Sequence, residues 1–302
     1  MLERFKSNIT APSLTAITFG LLLLARLCGV ADGSGNEFLS VIILQLLILA
    51  FPAILYTKLR GKELKGRLRT NGFGGDQVVL IIWGTLLLIC GSLLLNIIFA
   101  NGFSEKSFAL YDAYTVKNQG ADGMAVSILA YAILPAICEE FLFRAVLCAE
   151  YERFGIKTAA VVTSVFFAML HFRLALFPVY FFAGLLLFAV MYACRSCIAS
   201  MIVHFFFNLY GLYGQSFANE IFNTTGSAEL FLIILATLFA VFLIFFCGQA
   251  ARIYKKYAEK NIPSDYLPKK KRIGDLYFPE VFLAPAAIVC YLIFFVAVFI
   301  YR

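Results

Sequence analysis

The amino-acid sequence predicts an all-α membrane protein, a polytopic transmembrane helical bundle of about eight or nine spans. Of its 302 residues, 62% are hydrophobic and 14% are charged, and the mean hydropathy is +0.88. These values exceed what a water-soluble fold needs, so the bilayer is the expected solvent. The apolar runs are continuous rather than alternating, which indicates helices instead of barrel strands.

Nine apolar stretches are long enough, or nearly so, to cross a hydrocarbon core that takes roughly 20 helical residues. They lie near residues 12–31, 38–57, 76–100, 124–149, 156–172, 175–194, 196–213, 229–249 and 280–301. The fifth and seventh stretches are short and contain polar residues. Their spans therefore depend on burial against neighbouring helices rather than on lipid alone.

The chain is predicted to form a single membrane domain with its chemistry in the middle third. Most polar residues inside apolar stretches fall between Glu139 and Asn208, and intramembrane ionisable residues indicate function by default. The domain, 1–302, comprises N-terminal spans at 1–123, a catalytic helix core at 124–213, and C-terminal spans at 214–302 with a basic cytoplasmic loop at 250–279.

The net charge of +7 comes mainly from two basic clusters, each of which follows an even number of predicted spans. The clusters are Lys58, Arg60, Lys62, Lys65, Arg67 and Arg69, and then Arg252, Lys255, Lys256, Lys260, Lys269, Lys270, Lys271 and Arg272. This positive-inside pattern places the N-terminus in the cytoplasm. The pattern explains the net charge without a nucleic-acid partner. Contacts between these basic residues and anionic lipid headgroups are an additional expectation. No eukaryotic retention signal is visible, so we expect a bacterial plasma membrane.

Two adjacent carboxylates and a guanidinium stand inside the fourth apolar stretch, as Glu139-Glu140-x-x-x-Arg144. Glu140 and Arg144 are four residues apart with the acid first, the preferred order for an ion pair on one helix face. Glu139 points about 100° away and is the freer carboxylate, suited to act as a general base. Pro135 removes a backbone hydrogen bond nearby and can widen the helix. The alternative is that all three charges form a purely structural network.

The two histidines of the chain both lie in predicted membrane helices. His171 ends the segment Phe167-x-x-x-His171, and His204 begins His204-x-x-x-Asn208. The spacing of four places the imidazole and the carboxamide of the second motif on one helix face. A lone intramembrane histidine is often a helix-contact residue. Two histidines near a buried acid pair instead favour a catalytic site.

This set of residues can hydrolyse a peptide bond. A carboxylate and an imidazole can together orient and deprotonate water, and neutral donors can hold an oxyanion. A serine mechanism has weaker support, because only Ser200 stands at helix-facing spacing from a histidine, His204. No cofactor is expected, although Glu139, His171 and His204 could alternatively hold a zinc ion with an open position for water.

Other polar positions have simpler interpretations. Gln45 and Asn96 are interpreted as ordinary helix-contact residues. Cys194 and Cys197 form a C-x-x-C that lies across a short turn without the strand-helix context of a redox motif. The cysteines in the apolar helices are expected to pack as small hydrophobic residues.

The three motifs, in this order on successive helices, resemble those of the CPBP family of CAAX proteases and bacteriocin-processing enzymes, which includes the type II CAAX prenyl endopeptidase. The resemblance covers about 124–213. It implies that Glu139 and His171 activate water, and that His204 and Asn208 form the oxyanion hole. Glu140 and Arg144, with Phe167, would support the site, without an obligatory metal.

The predicted depths of these residues disagree with one another. At about 1.5 Å per residue, Glu139 lies near 15 Å from the cytoplasmic ends of the spans, His204 near 10 Å and His171 beyond 20 Å. Tilt, a deeper start of the fifth helix or a wet cavity must bring them together.

The predicted function is that of an intramembrane endopeptidase acting on a peptide or a lipid-modified protein. One alternative is a non-catalytic scaffold of the same family for immunity or regulation. Another is a proton-coupled transporter in which Glu139, His171 and His204 form a relay. The sequence leaves the identity of the substrate and the oligomeric state open.

Overall fold

The computed structural model describes residues 10–29, 37–101, 121–263 and 281–300. These ranges contain nine apolar helices and no β-strand. The helices are α1 (Ala11–Leu27), α2 (Phe38–Arg60), α3 (Gly75–Ala100), α4 (Gly123–Phe154), α5 (Ile156–Leu170), α6 (Phe177–Cys194), α7 (Cys197–Thr225), α8 (Ala228–Glu259) and α9 (Pro285–Ile300). The all-α membrane bundle is therefore confirmed.

Each of the nine predicted stretches corresponds to one helix, but only six of the helices are long and apolar enough to span a membrane unaided. The shorter three are α1, α5 and α9. Helix α8 continues to Glu259, so the first ten residues of the predicted loop at 250–279 are helical. Residues 264–280, which hold the rest of that loop, lie outside the described residues.

The central helices are α3, α4, α6 and α7, with α5 packed along α6. Helices α1 and α9 pack against each other and cover the far end of α5 with aromatic contacts. The ring of Phe19 lies 6.3 Å from Phe166, and the ring of Phe172 lies 6.4 Å from Phe294. This short helix is thus enclosed by protein, as its length requires.

Two prolines create wide turns inside long helices. A π-helical segment, Gln45–Ala50, immediately precedes Phe51 and Pro52 in α2, and another, Leu129–Ile133, precedes Leu134 and Pro135 in α4. Proline lacks the backbone donor and its ring crowds the carbonyl four residues earlier, so the helix opens by one residue at this point. The widening expected near Pro135 is therefore present.

Helices α4 and α5 form a hairpin about Gly155, whose φ of +107° suits glycine. The C-terminal end of α4 is held by arginines that precede α3. Arg60 forms two hydrogen bonds to Glu150, at 2.8 and 3.0 Å, and Arg69 pairs with the buried Glu152. Because both carboxylates are paired, α4 can remain helical to Phe154 while Glu150 and Glu152 are buried.

Helices α5 and α6 approach each other closely at Gly184. A Cβ atom added there would lie 2.7 Å from the Cβ of Ser164 and 2.8 Å from its Cα. Small residues allow membrane helices to pack this closely. The contact fixes α5, and with it His171, against the rest of the bundle.

We expect Gly184→Ala to separate α5 from α6 and to destabilise the protein by about 1–3 kcal/mol, as overpacking typically does. Thermal unfolding in detergent measures the effect. Gly248→Ala in α8 is the matched control, because an added Cβ there meets nothing within 4 Å. Equal unfolding temperatures for the two variants would contradict the close packing at Gly184.

Candidate active site

The middle of α4 presents two adjacent buried carboxylates. Glu139 is 6% exposed and Glu140 is 0% exposed. They end an α-helical segment, Leu134–Glu140, between two π-helical turns. Neighbouring helical side chains point about 100° apart, so the two acids contact different parts of the protein.

Glu140 is engaged by the side chains of Arg144 and His204. Its Oε1 atom lies 3.1 Å from Nη1 of Arg144 and 3.0 Å from Nδ1 of His204. The ion pair expected between Glu140 and Arg144 is thus present, and the contact with His204 adds α7 to it. Burial of these charges is tolerated because each has an opposite partner.

Arg144 extends the network to α5 and α6. Its Nη2 atom donates to the carbonyl oxygen of Gly184 at 3.3 Å. Its guanidinium carbon lies 4.3 Å from the ring centroid of Phe167, a distance at which a cation is attracted to an aromatic face. Phe167 therefore supports the site by holding the guanidinium.

His204 is oriented by Glu140. A carboxylate accepts hydrogen bonds, so Nδ1 of His204 carries the proton of the 3.0 Å contact. The Nε2 atom of His204 does not take part in this contact. Asn208 lies one turn further along α7 and is 2% exposed, so the carboxamide and the imidazole share a buried helix face.

His171 lies at the C-terminal end of α5, as its C-cap residue. Its Nδ1 atom is 3.0 Å from the carbonyl oxygen of Phe167, which accepts a hydrogen bond from Nδ1–H and leaves Nε2 as the basic nitrogen. The ring is stacked on Tyr180 of α6, with centroids 3.7 Å apart and planes 10° apart. These two contacts fix the imidazole in one orientation.

Phe167 brings the two histidines together. Its ring centroid lies 5.3 Å from that of His171 and 5.7 Å from that of His204. The predicted difference in depth between Glu139 and His171 arose because the fourth span was expected to end near 149. Since α4 ends at Phe154, Glu139 lies 16 residues before Gly155 and His171 lies 16 residues after it. Residues at equal distances from the turn of a helical hairpin lie at the same depth.

Unlike Glu140, Glu139 forms no ion pair among the described residues. Its Oε2 atom is buried without a hydrogen-bond partner among the described residues. The side chain of Gln45, from α2, lies within hydrogen-bonding reach of the carboxylate. From the sequence, Gln45 is interpreted as an ordinary helix-contact residue, because no pattern in the chain links Gln45 to the distant Glu139. Tyr180 and Gly184 were missed for the same reason.

The alternative chemistries have less geometric support. Ser200 donates to the carbonyl oxygen of Cys197 at 2.8 Å, while Nδ1 of His204 is occupied by Glu140. Within the described ranges, no three histidine, cysteine, aspartate or glutamate side chains are grouped to hold a metal ion.

A comparison with protein families identifies the segment that carries these residues. Residues 121–210 match the family described as Rce1-like: Type II CAAX prenyl endopeptidase Rce1-like. The match begins just before α4 and ends in α7, so it includes all three motifs. No curated protein and no solved structure matched the chain.

The resemblance to the CPBP and CAAX protease family is confirmed by this match. With six helices able to span a bilayer, the chain is an integral membrane protein. The match supports, in general terms, a CAAX-type intramembrane endopeptidase.

We expect Glu140→Leu to leave Arg144 and His204 without their carboxylate and to lower the yield of folded protein. Breaking a buried pair typically costs about 3–5 kcal/mol. The double variant Glu140→Leu/Arg144→Leu removes the unpaired charge and should recover part of that yield. It should not recover activity, because Nδ1 of His204 still lacks its acceptor. Size-exclusion yield and peptide cleavage per folded molecule measure the two effects.

The matched control for this prediction is Arg60→Leu/Glu150→Leu, which removes an ion pair between α2 and α4 away from the histidines. We expect cleavage per folded molecule to remain close to the parental value in this control. Parental cleavage by Glu140→Leu/Arg144→Leu would show that Glu140 does not orient His204 for the reaction.

Proposed function

We propose that this protein is an intramembrane endopeptidase that hydrolyses a peptide bond in a peptide or a lipid-modified protein, using water activated by Glu139 and His171. One observation carries the proposal. Of two adjacent buried carboxylates, Glu140 is engaged by Arg144 and His204, whereas Glu139 forms no ion pair among the described residues.

In the first step, the water oxygen attacks the carbonyl carbon of the scissile bond. One water proton passes to Glu139, while Nε2 of His171 accepts a hydrogen bond from the water and orients it. The tetrahedral intermediate then collapses, and the proton held by Glu139 passes to the leaving nitrogen as the carbon–nitrogen bond breaks. No other reactant is needed.

His204 and Asn208 are proposed to donate to the oxyanion. His204 can do so when both of its nitrogens are protonated, since Nδ1 donates to Glu140 and Nε2 is then a second donor. The site is neutral in this state, because Glu139 and Glu140 balance Arg144 and His204. Transfer of a proton to Glu139 leaves one excess positive charge, which matches the negative charge of the oxyanion.

The proposed substrate is a peptide segment that reaches the site residues on α4, α5 and α7. The matched family is described by its prenyl endopeptidase activity, and a prenylated chain is one lipid-modified substrate that fits this description. Matched peptides with and without a prenyl group on cysteine, assayed in proteoliposomes, would distinguish a lipid-modified substrate from an unmodified one.

Glu139→Gln keeps the size of the side chain and removes the base. We expect hydrolysis to fall by at least the roughly 10²-fold typical of losing a general base, with folded yield and thermal stability nearly unchanged. The measurement is cleavage per folded molecule of the purified protein. Glu220→Gln, at an exposed position in α7, is the control and should cleave at the parental rate.

Cleavage at the parental rate by Glu139→Gln would overturn the proposed mechanism. If the parental protein cleaves no peptide, including peptides that accumulate in a strain lacking it, the scaffold alternative is favoured. Proton-coupled uptake into proteoliposomes that is lost in Glu139→Gln would favour the transporter.

Because the proposed water activation uses only Glu139 and His171, strong chelators should leave the purified activity intact. The assay compares turnover before and after incubation with a chelator, followed by dialysis. Loss of turnover that zinc alone restores would instead support a metal held by Glu139, His171 and His204.

A further inference from the structure

Gln45 contacts the proposed general base from a helix outside the matched segment. Its side chain lies within hydrogen-bonding reach of the Glu139 carboxylate. The segment that it begins, Gln45–Ala50, packs against the segment Leu134–Glu140 of α4. The contact between the Gln45 amide and the Glu139 carboxylate is therefore part of the packing between α2 and α4.

Helices α2 and α4 run parallel and in register along their length. Successive segments of α2, at 37–44, 45–50 and 51–60, contact successive segments of α4 at 129–133, 134–140 and 141–147. The bidentate ion pair between Arg60 and Glu150 joins the C-terminal parts of the two helices in the same register. Gln45 is thus held opposite Glu139 by contacts along both helices.

Both polar side chains have unused hydrogen-bonding capacity. Oε1 of Gln45 and Oε2 of Glu139 are each buried without a hydrogen-bond partner among the described residues. Buried polar atoms are costly unless they are paired. Two such atoms on neighbouring side chains are suited to hold the same water molecule or the substrate between them.

We propose that Gln45 is a positioning residue for the reaction: its amide N–H donates to the Glu139 carboxylate and turns the free Oε2 atom towards the water. This inference rests on the proposed function. The two hydrogens of the water are then directed to Glu139 and His171, and the carbonyl oxygen of Gln45 is left to accept from a donor on the substrate. Gln45 itself gains and loses no proton.

An amide suits this position better than a charged side chain. It donates to the ionised carboxylate without adding charge, so the balance among Glu139, Glu140, Arg144 and His204 is kept. A donor favours the ionised form of a carboxylate, which is the form that accepts the proton of water. The wide turn that begins at Gln45 lies opposite the segment that carries Glu139, so both helices depart from regular geometry at the site.

The test is Gln45→Leu, assayed with a peptide that the parental protein cleaves. We expect kcat to fall by about tenfold, typical of losing a hydrogen bond to a charged group, with KM nearly unchanged. The acidic limb of the pH–kcat profile should move to higher pH, since the ionised carboxylate loses a donor. A purely structural role would not move this limb.

Gln249→Leu is the matched control, because Gln249 is also buried and its amide donates to the carbonyl oxygen of Asp76 at 2.8 Å, away from the site. It should lower thermal stability and leave the pH profile unchanged. If Gln45→Leu does not fold, Gln45→Glu keeps a polar side chain of the same length. The added carboxyl group should move the acidic limb to higher pH.

An unmoved acidic limb and parental kcat in the folded Gln45 variant overturn the role of Gln45. That result is distinguishable from failure of the proposed function, which would appear as parental cleavage by Glu139→Gln. Inactive Glu139→Gln together with fully active Gln45→Leu leaves the endopeptidase proposal standing and removes only the positioning residue.

Discussion

The arrangement of the site depends on one fully buried carboxylate, that of Glu140. It receives Arg144 from its own helix and His204 from α7, and Arg144 in turn reaches Gly184 and Phe167. Four helices are therefore joined through one charge, in surroundings where an unpaired charge would be strongly unfavourable. Because Glu140 is committed in this way, the proposed mechanism assigns proton exchange to Glu139.

Much of the fold and part of this network could be predicted from the sequence. Continuous apolar runs located nine helices, and spacings of four residues located the Glu140–Arg144 pair and the shared face of His204 and Asn208. The end of α4 was misjudged, because Glu150 and Glu152 look unsuited to a buried helix. Their pairing with arginines before α3 removes that cost, and the added length makes Glu139 level with His171.

Contacts between distant helices could not be predicted. The amide of Gln45 and the ring of Tyr180 reach the site because α2 runs parallel to α4 and because α6 packs closely on α5 at Gly184. Periodicity within a helix identifies which residues share a face, but it does not identify the neighbour that this face meets. Such residues are found only when the packing is known.

The most direct test of the central role of Glu140 is the protonation of His204, measured by nitrogen-15 NMR of histidine-labelled protein. The chain has two histidines, so the spectrum contains two imidazoles, and His171→Gln assigns them. The hydrogen bond to Glu140 predicts that Nδ1 of His204 is protonated in the parental protein at neutral pH. An Nδ1 without a proton, in a neutral ring protonated only at Nε2, would contradict the network and the catalytic assignment built on it.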